Sequence, residues 1–480
     1  MSGGSFDESP DLVRHVVVVG GGIAGLAAAR ALTGGTRQGR RTVRVTLLEA
    51  SGRVGGKLCV SDLAGVPVDE GAESLLLRRP EAVDLARTAG LGPDLEDAAT
   101  TSAAVWSRGG MHPLPRSTVM GIPGDLRALA TSGLLTGREL ARVPVDSWLP
   151  RTRMAEDVSV GRFVTARLGR AVVDRLVEPL LGGVYAGRAD ELSLEATVPQ
   201  LAGYARQERS LLAAARASRA AADAAGQDGA VFGAPRGGVG RLPDAVARVS
   251  GAEIRTGATV RELARTPTGW RLVVGPTRSP EEVLADAVVL TVPTAPAARL
   301  LRPHAPAAAS ELAQVRYASM AVVALAFPVA AFRQAPTGSG FLVPPVDGRS
   351  VKAVTFSSTK WGWYAEQAPG LVVVRASVGR RGDESVLQRD DADLIDLVLA
   401  DLTDALGVTD PPLDARVTRW GGGLPQYTVG HLRRVARVLA AVEALPGLAV
   451  AGAAYDGVGV PACIASGQRA AAEVLRQWAP

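Results

Sequence analysis

Residues 15–32 have the sequence HVVVVGGGIAGLAAARAL, in which a run of valines leads directly into glycines and then into an alanine-rich stretch. A continuous β-branched run of this length is typical of a buried parallel strand, so we expect a strand over 15–19. We expect a helix over Ile23–Leu32 and a second strand over Val43–Leu48. Together these segments predict a βαβ unit within the first fifty residues.

The turn between the first strand and the helix has the pattern G-x-G-x-x-G, at Gly20, Gly22 and Gly25. Glycines there permit a tight turn and let backbone amides approach a pyrophosphate at the helix N-terminus. Glu49 ends the second strand, 24 residues after Gly25, where a carboxylate binds the ribose hydroxyls of an adenosine. The combination predicts a dinucleotide site and argues against a glycine-rich turn that binds nothing.

Two further loops favour FAD over NAD. Arg53-Val-Gly-Gly-Lys57 offers cations and two positions without side chains, as an extended FAD running along the backbone requires. Asp69-Glu-Gly-Ala-Glu-Ser74 is a small-residue loop that can lie close to a flat ring. Taken singly, either loop could equally be an ordinary surface turn.

The C-terminal part returns to a strand, a glycine-rich loop and a helix, over 448–451, 454–461 and 464–478. A helix N-terminus carries partial positive charge and would stabilise the negative charge that a flavin acquires with a hydride. We assign this role to the turn Val458–Pro461. Tyr455 and Trp420 are either contacts beside the flavin or core aromatics, and the sequence favours neither alternative.

Between these ends the pattern changes twice. Residues 91–225 are mostly helical in pattern, with an amphipathic stretch over Arg206–Ala225 and a Pro/Gly-rich interruption over Met111–Gly124. After Phe232 the sequence predicts strands, the later ones forming a largely antiparallel sheet. The expected strands are 252–260, 270–274, 287–292, 317–327, 351–357 and 371–378.

Composition excludes several functional classes. The formal charge of +5 comes almost wholly from arginines, and their dispersed placement argues against nucleic acid as a partner. Cys59 and Cys463 are too few for a disulfide framework and lack metal-ligand spacing, so we expect buried thiols, no metal site and a reducing cytosol. The N-terminal residues show no secretion signal, and no segment has the length of a spanning helix.

The chain resembles the protoporphyrinogen and coproporphyrinogen oxidases, within a superfamily that includes monoamine oxidases and phytoene desaturases. The superfamily resemblance rests on GGGIAG, Glu49 and GRVGG. The narrower resemblance rests on motifs spread over most of the chain, namely EPLLGGVYAG at 178–187, ELS at 191–193, LPQY at 424–427, VGH at 429–431, and GVGVP at 457–461 with Cys463-Ile464. Ala462 stands where the family usually has an aspartate, so any role of that acid is absent here.

The resemblance implies an α/β fold, α+β overall, with a Rossmann-like FAD-binding domain, an antiparallel-sheet substrate domain and an inserted helical lobe. We expect the discontinuous FAD-binding domain over 1–90, 228–298 and 419–480. We expect the helical lobe, which touches membranes in relatives, over 91–227 and the substrate-binding sheet over 299–418. The stretch Val119–Trp148 could dock on a bilayer through Met120, Ile122, Leu134 and Leu135, or could pack on the core of the lobe.

The same resemblance implies the residues of the site. Val260 is expected to meet the adenine through its backbone, because it lies in a strand before a turn. The FAD contacts carried over are Gly20, Gly21, Gly22, Ile23, Ala24, Gly25, Glu49, Ala50, Arg53, Lys57, Gly71, Ala72, Glu73, Ser74, Val260, Trp420, Val458, Gly459 and Val460.

Arg79 matches the position where close bacterial relatives hold a basic residue for a substrate propionate. The other expected substrate-binding residues are Arg78, Leu180, Gly183 and Tyr185. No residue is expected to be catalytic, because a non-covalently bound flavin performs the chemistry. We expect His112, His304 and His431 to be structural and His15 to lie at the surface.

The activity implied is oxidation of coproporphyrinogen III with dioxygen in haem biosynthesis, in three two-electron steps that each yield hydrogen peroxide. Protoporphyrinogen IX oxidation is the alternative, and a non-catalytic flavoprotein that carries porphyrin is a remoter one. We expect a cytoplasmic enzyme, and leave open a peripheral contact with the inner face of the membrane. Hand-over of the product to the next enzyme of the haem pathway is left open as well.

Overall fold

The computed structural model describes residues 13–34, 43–152, 156–224 and 230–478. The N-terminal residues 1–12, on which part of the argument against a secretion signal depends, lie outside the described residues, as does Ala225 at the end of an expected helix.

A five-stranded parallel sheet forms around the first strand, Arg14–Val19. This strand pairs with Val43–Leu48 on one side and with Ala287–Leu290 on the other. Glu253–Arg255 and Leu448–Val450 complete the two edges. The predicted βαβ unit is therefore present, with its helix at Ile23–Gly34.

The helix Ile23–Gly34 packs closely against the last helix of the chain, Val460–Arg476, here called the tail helix. A Cβ atom at Gly467 of the tail helix would lie 2.0 Å from the carbonyl oxygen of Ala24. The approach of the two helices therefore requires glycine at this position, since real Cβ contacts are never so short. This packing places Gly467, seven residues into the tail helix, against Ala24 of the G-x-G-x-x-G turn.

A second sheet has seven strands and is antiparallel except where Gly340–Leu342 runs parallel to Ala103–Ser107. Its strands, in spatial order, are Asp414–Pro425, Tyr317–Pro328, Leu371–Val378, Val351–Phe356, Gly340–Leu342, Ala103–Ser107 and Gly110–Pro113. The strands Ala103–Ser107 and Gly110–Pro113 lie within 91–227, the segment expected to be mainly helical. Alternate residues of the long strands are buried against the helix Asp391–Leu406 in one apolar cluster.

The helical lobe has its own core, which includes Leu129, Val164, Leu176 and Leu212, all almost inaccessible to solvent. Its helices are Leu126–Thr131, Gly137–Arg142, Val160–Leu168, Arg170–Val172, Glu178–Tyr185, Leu194–Thr197, Pro199–Gln207 and Leu211–Ala224. A π-helical turn over Val173–Val177 directly precedes Glu178–Tyr185. Pro179 follows it by two residues and has no N–H to continue the α-helical hydrogen bonds.

Smaller elements complete the fold. A three-stranded meander over Val260–Thr266, Gly269–Val274 and Glu281–Ala285 packs near the parallel sheet. Among the described residues, seven short strands form three small sheets. One sheet has the order Leu75–Leu76, Phe232–Pro235, Leu95–Asp97. The other two are the pairs Val60–Leu63 with Val66–Asp69 and Thr118–Val119 with Ile122–Pro123. The remaining α-helices are Pro80–Thr88, Leu242–Val249, Thr294–Leu301, Pro306–Ala313, Ser357–Lys360, Trp363–Gln367 and His431–Glu443.

Three local predictions were wrong. The expected strand over 252–260 is two strands in different sheets, Glu253–Arg255 and Val260–Thr266. The helix expected over Arg206–Ala225 is interrupted after Gln207 and restarts at Leu211, where the Ser210 hydroxyl accepts the Ala213 amide as a cap. His15 is buried rather than at the surface.

His15 is buried because the meander covers the start of its strand. Its ring nitrogens bond the carbonyl oxygen of Leu284 at 2.7 Å and Oγ1 of Thr46 at 3.0 Å. Burial lowers the pKa of His15.

Candidate active site

The G-x-G-x-x-G turn has the geometry that a dinucleotide needs. Gly20 has φ of +110°, and a Cβ at Gly25 would lie 1.9 Å from the Gly20 carbonyl oxygen, so only glycine fits either position. Gly22, by contrast, faces open space, with no atom within 4 Å of a hypothetical Cβ. That space lies at the N-terminus of the helix Ile23–Gly34, where the helix dipole favours a phosphate.

The Glu49 carboxylate closes one side of this turn. Its Oε2 accepts the Gly21 amide at 2.6 Å, and its Oε1 accepts the Ser51 amide at 2.8 Å. Its backbone is held by residues of the 255–258 loop, since the Glu49 amide donates to the Arg255 carbonyl and the Glu49 carbonyl accepts from Ala258. This loop leads into Val260, which opens a strand rather than ending one.

The loop Arg53–Lys57, here called the arginine loop, runs directly along the glycine turn. Gly55 forms an isolated bridge with Gly22, and its amide donates to the Gly21 carbonyl at 2.8 Å. The Arg53 guanidinium donates to the carbonyl oxygens of Val54, Gly56 and Leu58. Within the described part of the chain, neither Arg53 nor Lys57 forms an ion pair with a carboxylate.

The loop Asp69–Ser74, here called the acidic loop, lies against the arginine loop. A Cβ at Gly71 would come within 1.9 Å of the Lys57 carbonyl oxygen and 3.5 Å of the Trp420 ring. The Trp420 indole N–H donates to the Glu70 carbonyl at 2.8 Å. Ala72 is exposed beside this contact and Ser74 is half-buried, so the loop presents a flat surface without bulky side chains.

The N-terminal turn of the tail helix lies near the arginine loop. Gly459 precedes the first helical residue, Val460, and the Val458 side chain packs on the core of the helical lobe. Lys57 and Cys463 interact electrostatically. Burial raises the pKa of the Cys463 thiol to about 11, although Lys57 opposes the rise. The thiol is therefore neutral at physiological pH, and Lys57 has no anion beside it.

These segments fit a flavin dinucleotide. Lys57 faces accessible space, yet the surrounding protein desolvates it enough to lower its pKa. Two cations without carboxylate partners thus lie beside an open glycine turn and a helix N-terminus. That arrangement suits a pyrophosphate, while Glu49 and the acidic loop are spaced for a ribose at one end and a flat ring at the other.

Beneath the acidic loop is a buried ionic cluster centred on Glu73. Its carboxylate accepts hydrogen bonds from Lys360 at 2.8 Å, from Ser357 at 3.1 Å and from Arg375, all from the seven-stranded sheet or the helix beside it. Burial acts to raise the pKa of Glu73, but Lys360 and Arg375 hold it at about 2. Since the carboxylate is fully engaged, the expected cofactor contact of Glu73 would be made by its backbone.

Arg79 begins the helix Pro80–Thr88 and is about half exposed, with 46% of its side chain accessible. Its Nε lies 3.1 Å from Oε2 of Glu81, and a second guanidinium nitrogen lies 2.5 Å from Oε1. The guanidinium therefore already has one carboxylate partner. Arg78 is half-buried.

The other expected substrate residues share the helix Glu178–Tyr185. Leu180 is half-buried and Gly183 is exposed one turn later, facing Leu342 of the seven-stranded sheet. Tyr185 is buried with its ring 5.7 Å from that of Tyr427, and burial raises its pKa to about 12. Leu180 and Gly183 therefore line the space between helix and sheet, whereas Tyr185 supports the helix from behind.

Several aromatic and histidine residues lie in surroundings that indicate a structural role. Tyr455 lies in the apolar core around Trp270, which favours the core alternative. His304 bonds the Leu263 carbonyl at 2.9 Å, and His112 bonds the Ser132 carbonyl at 3.3 Å. His431 stacks on Tyr427, and burial followed by the charge of Arg434 lowers its pKa to about 4.

Sequence reasoning missed the partners of the acidic loop. Lys360 and Arg375 bind Glu73, and Asp69 accepts the amides of Val239 and Gly240 at 2.9 and 2.8 Å. Burial raises the pKa of Asp69 to about 7, against the influence of Arg375 and these amides. The sequence offered one signal of these partners, because Lys57, Lys352 and Lys360 are the only lysines of an arginine-rich chain. Lys57 lies in the arginine loop and Lys360 binds Glu73 of the acidic loop.

Over the described ranges, no group of His, Cys, Asp and Glu side chains is arranged to hold a metal ion. None of the helices in those ranges combines the length and apolar composition needed to cross a bilayer. Cys463 is buried as expected, whereas Cys59 is only partly buried.

Replacing Glu73 by Gln is expected to lower the free energy of unfolding by about 3–5 kcal/mol, because Lys360 and Arg375 would keep buried charges without a carboxylate. Urea unfolding followed by circular dichroism measures the change. Glu282→Gln is the matched control, since that carboxylate is 62% exposed in its ion pair with Arg271. The control should change stability by no more than about 1 kcal/mol.

The effect of Glu73→Gln should depend on pH in one direction. Because the folded pKa is about 2 against an ordinary 4.5, the carboxylate stabilises the fold fully above pH 4.5 and progressively less as pH falls toward 2. The difference between wild type and variant should therefore be constant near neutrality and shrink in acid. A difference that is the same at every pH would contradict the ionised cluster.

Curated relatives resemble nearly the whole chain. A coproporphyrinogen III oxidase of Bacillus subtilis is 33% identical over 467 residues, covering 96% of this chain and 98% of the relative. One of Mycobacterium bovis is 38% identical over 465 residues, covering 96% and 97%. A crystal structure from Exiguobacterium, provisionally assigned as a protoporphyrinogen oxidase, superposes with a TM-score of 0.83 at 34% identity, covering 96% and 98%.

The family model described as flavin containing amine oxidoreductase matches residues 23–475. The match confirms the predicted fold class and the flavin cofactor. The glycine turn and Glu49 suit the adenosine half of a dinucleotide, so the flavin is FAD. The chain belongs to the flavin containing amine oxidoreductases, in the group that includes the bacterial coproporphyrinogen III oxidases.

Proposed function

We propose that this protein oxidises coproporphyrinogen III to coproporphyrin III in haem biosynthesis, with FAD as cofactor and dioxygen as oxidant. The observation that carries the proposal is similarity over nearly the whole chain to relatives of that name, at 33 and 38% identity. The site supports it, because the glycine turn, arginine loop and acidic loop, here called the flavin cradle, suit a flavin dinucleotide, and Arg79, five residues after the acidic loop, suits a substrate carboxylate.

The overall reaction balances in hydrogen. A porphyrinogen loses six electrons and six protons on becoming a porphyrin. Three molecules of dioxygen accept them and become three molecules of hydrogen peroxide. FAD, when bound, supplies the chemistry of each round by accepting two electrons as hydride and passing them to dioxygen.

The role of the chain's own residues is to bind and orient. Glu49 would hold the ribose hydroxyls, and the glycine turn with Arg53 and Lys57 would hold the pyrophosphate. The acidic loop offers its backbone to the ring. The N-terminus of the tail helix, at Val458–Val460, would stabilise negative charge on the ring.

The substrate would lie between the helix Glu178–Tyr185 and the seven-stranded sheet, with Leu180 and Gly183 against the macrocycle. This position would hold a substrate carbon near the ring and exclude water. No side chain is required as a base. His431 is fully buried and stacked on Tyr427, and its pKa of about 4 makes it a weak base, which supports a structural role for that residue.

Purified protein supplied with each substrate is expected to oxidise coproporphyrinogen III with a higher kcat/KM than protoporphyrinogen IX. Porphyrin fluorescence measures the rate, and a peroxide assay should give three molecules of hydrogen peroxide for each porphyrin. A preference for protoporphyrinogen IX would support the alternative that the Exiguobacterium structure's assignment favours. Flavin that stays oxidised with both substrates would support a carrier protein.

We also propose that Arg79 anchors one propionate by exchanging its contact with Glu81 for the substrate carboxylate. Arg79→Ala should raise KM for coproporphyrinogen roughly tenfold, in line with about 1.5–3 kcal/mol for a charge-assisted hydrogen bond. FAD content should not change. Arg87→Ala is the matched control, since Arg87 lies on the same helix with 66% of its side chain exposed. Unaltered kinetics at full flavin occupancy would place the anchor elsewhere.

The division into an FAD-binding domain over 1–90, 228–298 and 419–480, a helical lobe over 91–227 and a sheet domain over 299–418 remains a proposal. We also propose a cytoplasmic location with a peripheral membrane contact. The free thiols of Cys59 and Cys463 support the cytoplasmic compartment.

Of the expected docking side chains, Ile122, Leu134 and Leu135 are buried in the lobe and Met120 is half-buried. Trp148 is 81% exposed at the lobe surface and is a better placed candidate for insertion. Trp148→Ser should reduce sedimentation with anionic phospholipid vesicles, whereas Leu413→Ser, at a side chain 65% exposed on another element, should not. No sedimentation of the wild type would exclude the contact.

A further inference from the structure

A cavity of about 370 Å³ lies between the helix Glu178–Tyr185 and the end of the seven-stranded sheet. Helix residues Glu178, Pro179 and Gly182 form one wall. Val343 and Lys352, from the sheet, and Arg380, which follows the strand Leu371–Val378, form the other. Arg188, Arg349 and Asp383 lie around its opening.

Lys352 is a buried ammonium group without a counter-ion. Only 3% of the residue is accessible, and its Nζ has the Met320 sulfur at 3.7 Å as its hydrogen-bond contact. Among the described residues, no carboxylate forms an ion pair with it. Burial, followed by the charge of Arg380, lowers the pKa of Lys352 to about 7. A charge buried in this way destabilises a fold unless a ligand or partner compensates for it.

Arg380 is held rigidly beside Lys352 but is likewise not neutralised. Its guanidinium donates to the carbonyl oxygens of Arg349, Val343 and Val351, at 3.1 to 3.2 Å. Carbonyl groups fix its orientation without supplying a full negative charge. Within the part of the chain that the structure describes, Arg380 forms no ion pair.

Among the described residues, the acids around the cavity form no ion pair with Lys352 or Arg380. Oε2 of Glu178 accepts the Ala189 amide at 2.7 Å, and burial raises the pKa of this carboxyl group. Asp383 is exposed at the opening. Arg349 is already paired with Asp404 at 2.5 Å and with Asp401 at 3.5 Å. Asp383, Glu178 and Asp401 oppose the lowering of the Arg380 pKa by burial. None of them is within ion-pair distance of Lys352 or Arg380, so an added carboxylate would find both cations unpaired.

The cavity runs along one short helix, Glu178–Tyr185, that is joined through Tyr427 to the segment leading to the tail helix. Its lining includes Glu178, Pro179 and Gly182 of the helix and Gly187 just after it. Tyr185 packs on Tyr427, whose hydroxyl donates to the Ala453 carbonyl of that segment. A macrocycle lying along Leu180 and Gly183 would extend its carboxylates toward the cavity.

We propose that Lys352 and Arg380 bind a substrate propionate and thereby select a tetracarboxylate porphyrinogen over a dicarboxylate one. The inference rests on the proposed function and deepens it. Coproporphyrinogen III has four propionates, so a second cationic site distant from Arg79 still finds a carboxylate. Protoporphyrinogen IX has two propionates and carries vinyl groups where coproporphyrinogen carries the others, so Lys352 would remain without a partner.

The test uses the flavin-loaded protein and the variant Lys352→Met, which keeps the length of the side chain and removes the charge. KM for coproporphyrinogen III should rise roughly tenfold or more through loss of a charge-assisted hydrogen bond. KM for protoporphyrinogen IX should change less than about twofold, because no carboxylate reaches this site. The melting temperature without substrate should stay equal or rise, which a purely structural lysine would not give.

Binding of the product supplies a readout that does not need turnover. Coproporphyrin III should quench protein fluorescence at lower concentration than its tetramethyl ester in the wild type, and Lys352→Met should remove most of that difference. Arg380→Gln should act in the same direction on both readouts. Arg278→Gln, at an exposed turn of the meander, is the control and should leave both unchanged.

The outcomes separate the two proposals. If the wild type fails to oxidise coproporphyrinogen III, the proposed function fails, and the inference is overturned with it. If the wild type is active and Lys352→Met keeps its KM, the inference alone is overturned. An equal rise of KM for both substrates would also overturn it, because the cavity would then not discriminate by carboxylate number.

Discussion

The buried carboxylate of Glu73 joins the acidic loop to the seven-stranded sheet. Its partners Lys360, Arg375 and Ser357 belong to that sheet and the helix beside it, nearly three hundred residues later in the chain. A carboxylate in this position cannot be left unpaired without a large desolvation penalty. The contact therefore sets how the sheet that would face the substrate is oriented toward the cofactor.

Close approach of backbone segments assembles the cofactor cradle around that junction. Glycine at 25, 71 and 467 allows a turn, a loop and a helix to lie within contact of neighbouring carbonyl oxygens. A single added methyl group at any of these positions would collide with backbone, which cannot move aside as a flexible side chain can. The glycine turn, arginine loop, acidic loop and tail helix are thereby held in one place.

A lowered pKa distinguishes Lys57 and Lys352 from the paired arginines of the surface. Arg255, for example, lies beside the carboxylate of Glu281. Lys57 and Lys352 have no such partner among the described residues, and protein surrounds both closely enough to lower the pKa of each. In a chain whose cations are almost all arginine, the three lysines are Lys360 at Glu73, Lys57 in the arginine loop and Lys352 in the cavity.

The sequence by itself determined the βαβ unit, the glycine turn with Glu49, the flavin class and most strands, because each depends on local periodicity or on residues a fixed distance apart. It could not determine that residues 103–113 join the second sheet, that His15 is buried, or that Arg79 already contacts Glu81. It also gave no indication that Lys352 and Arg380 meet in one cavity. These features depend on contacts between segments far apart in the chain, and desolvation and charge pairing exist only once the tertiary structure has brought such groups together.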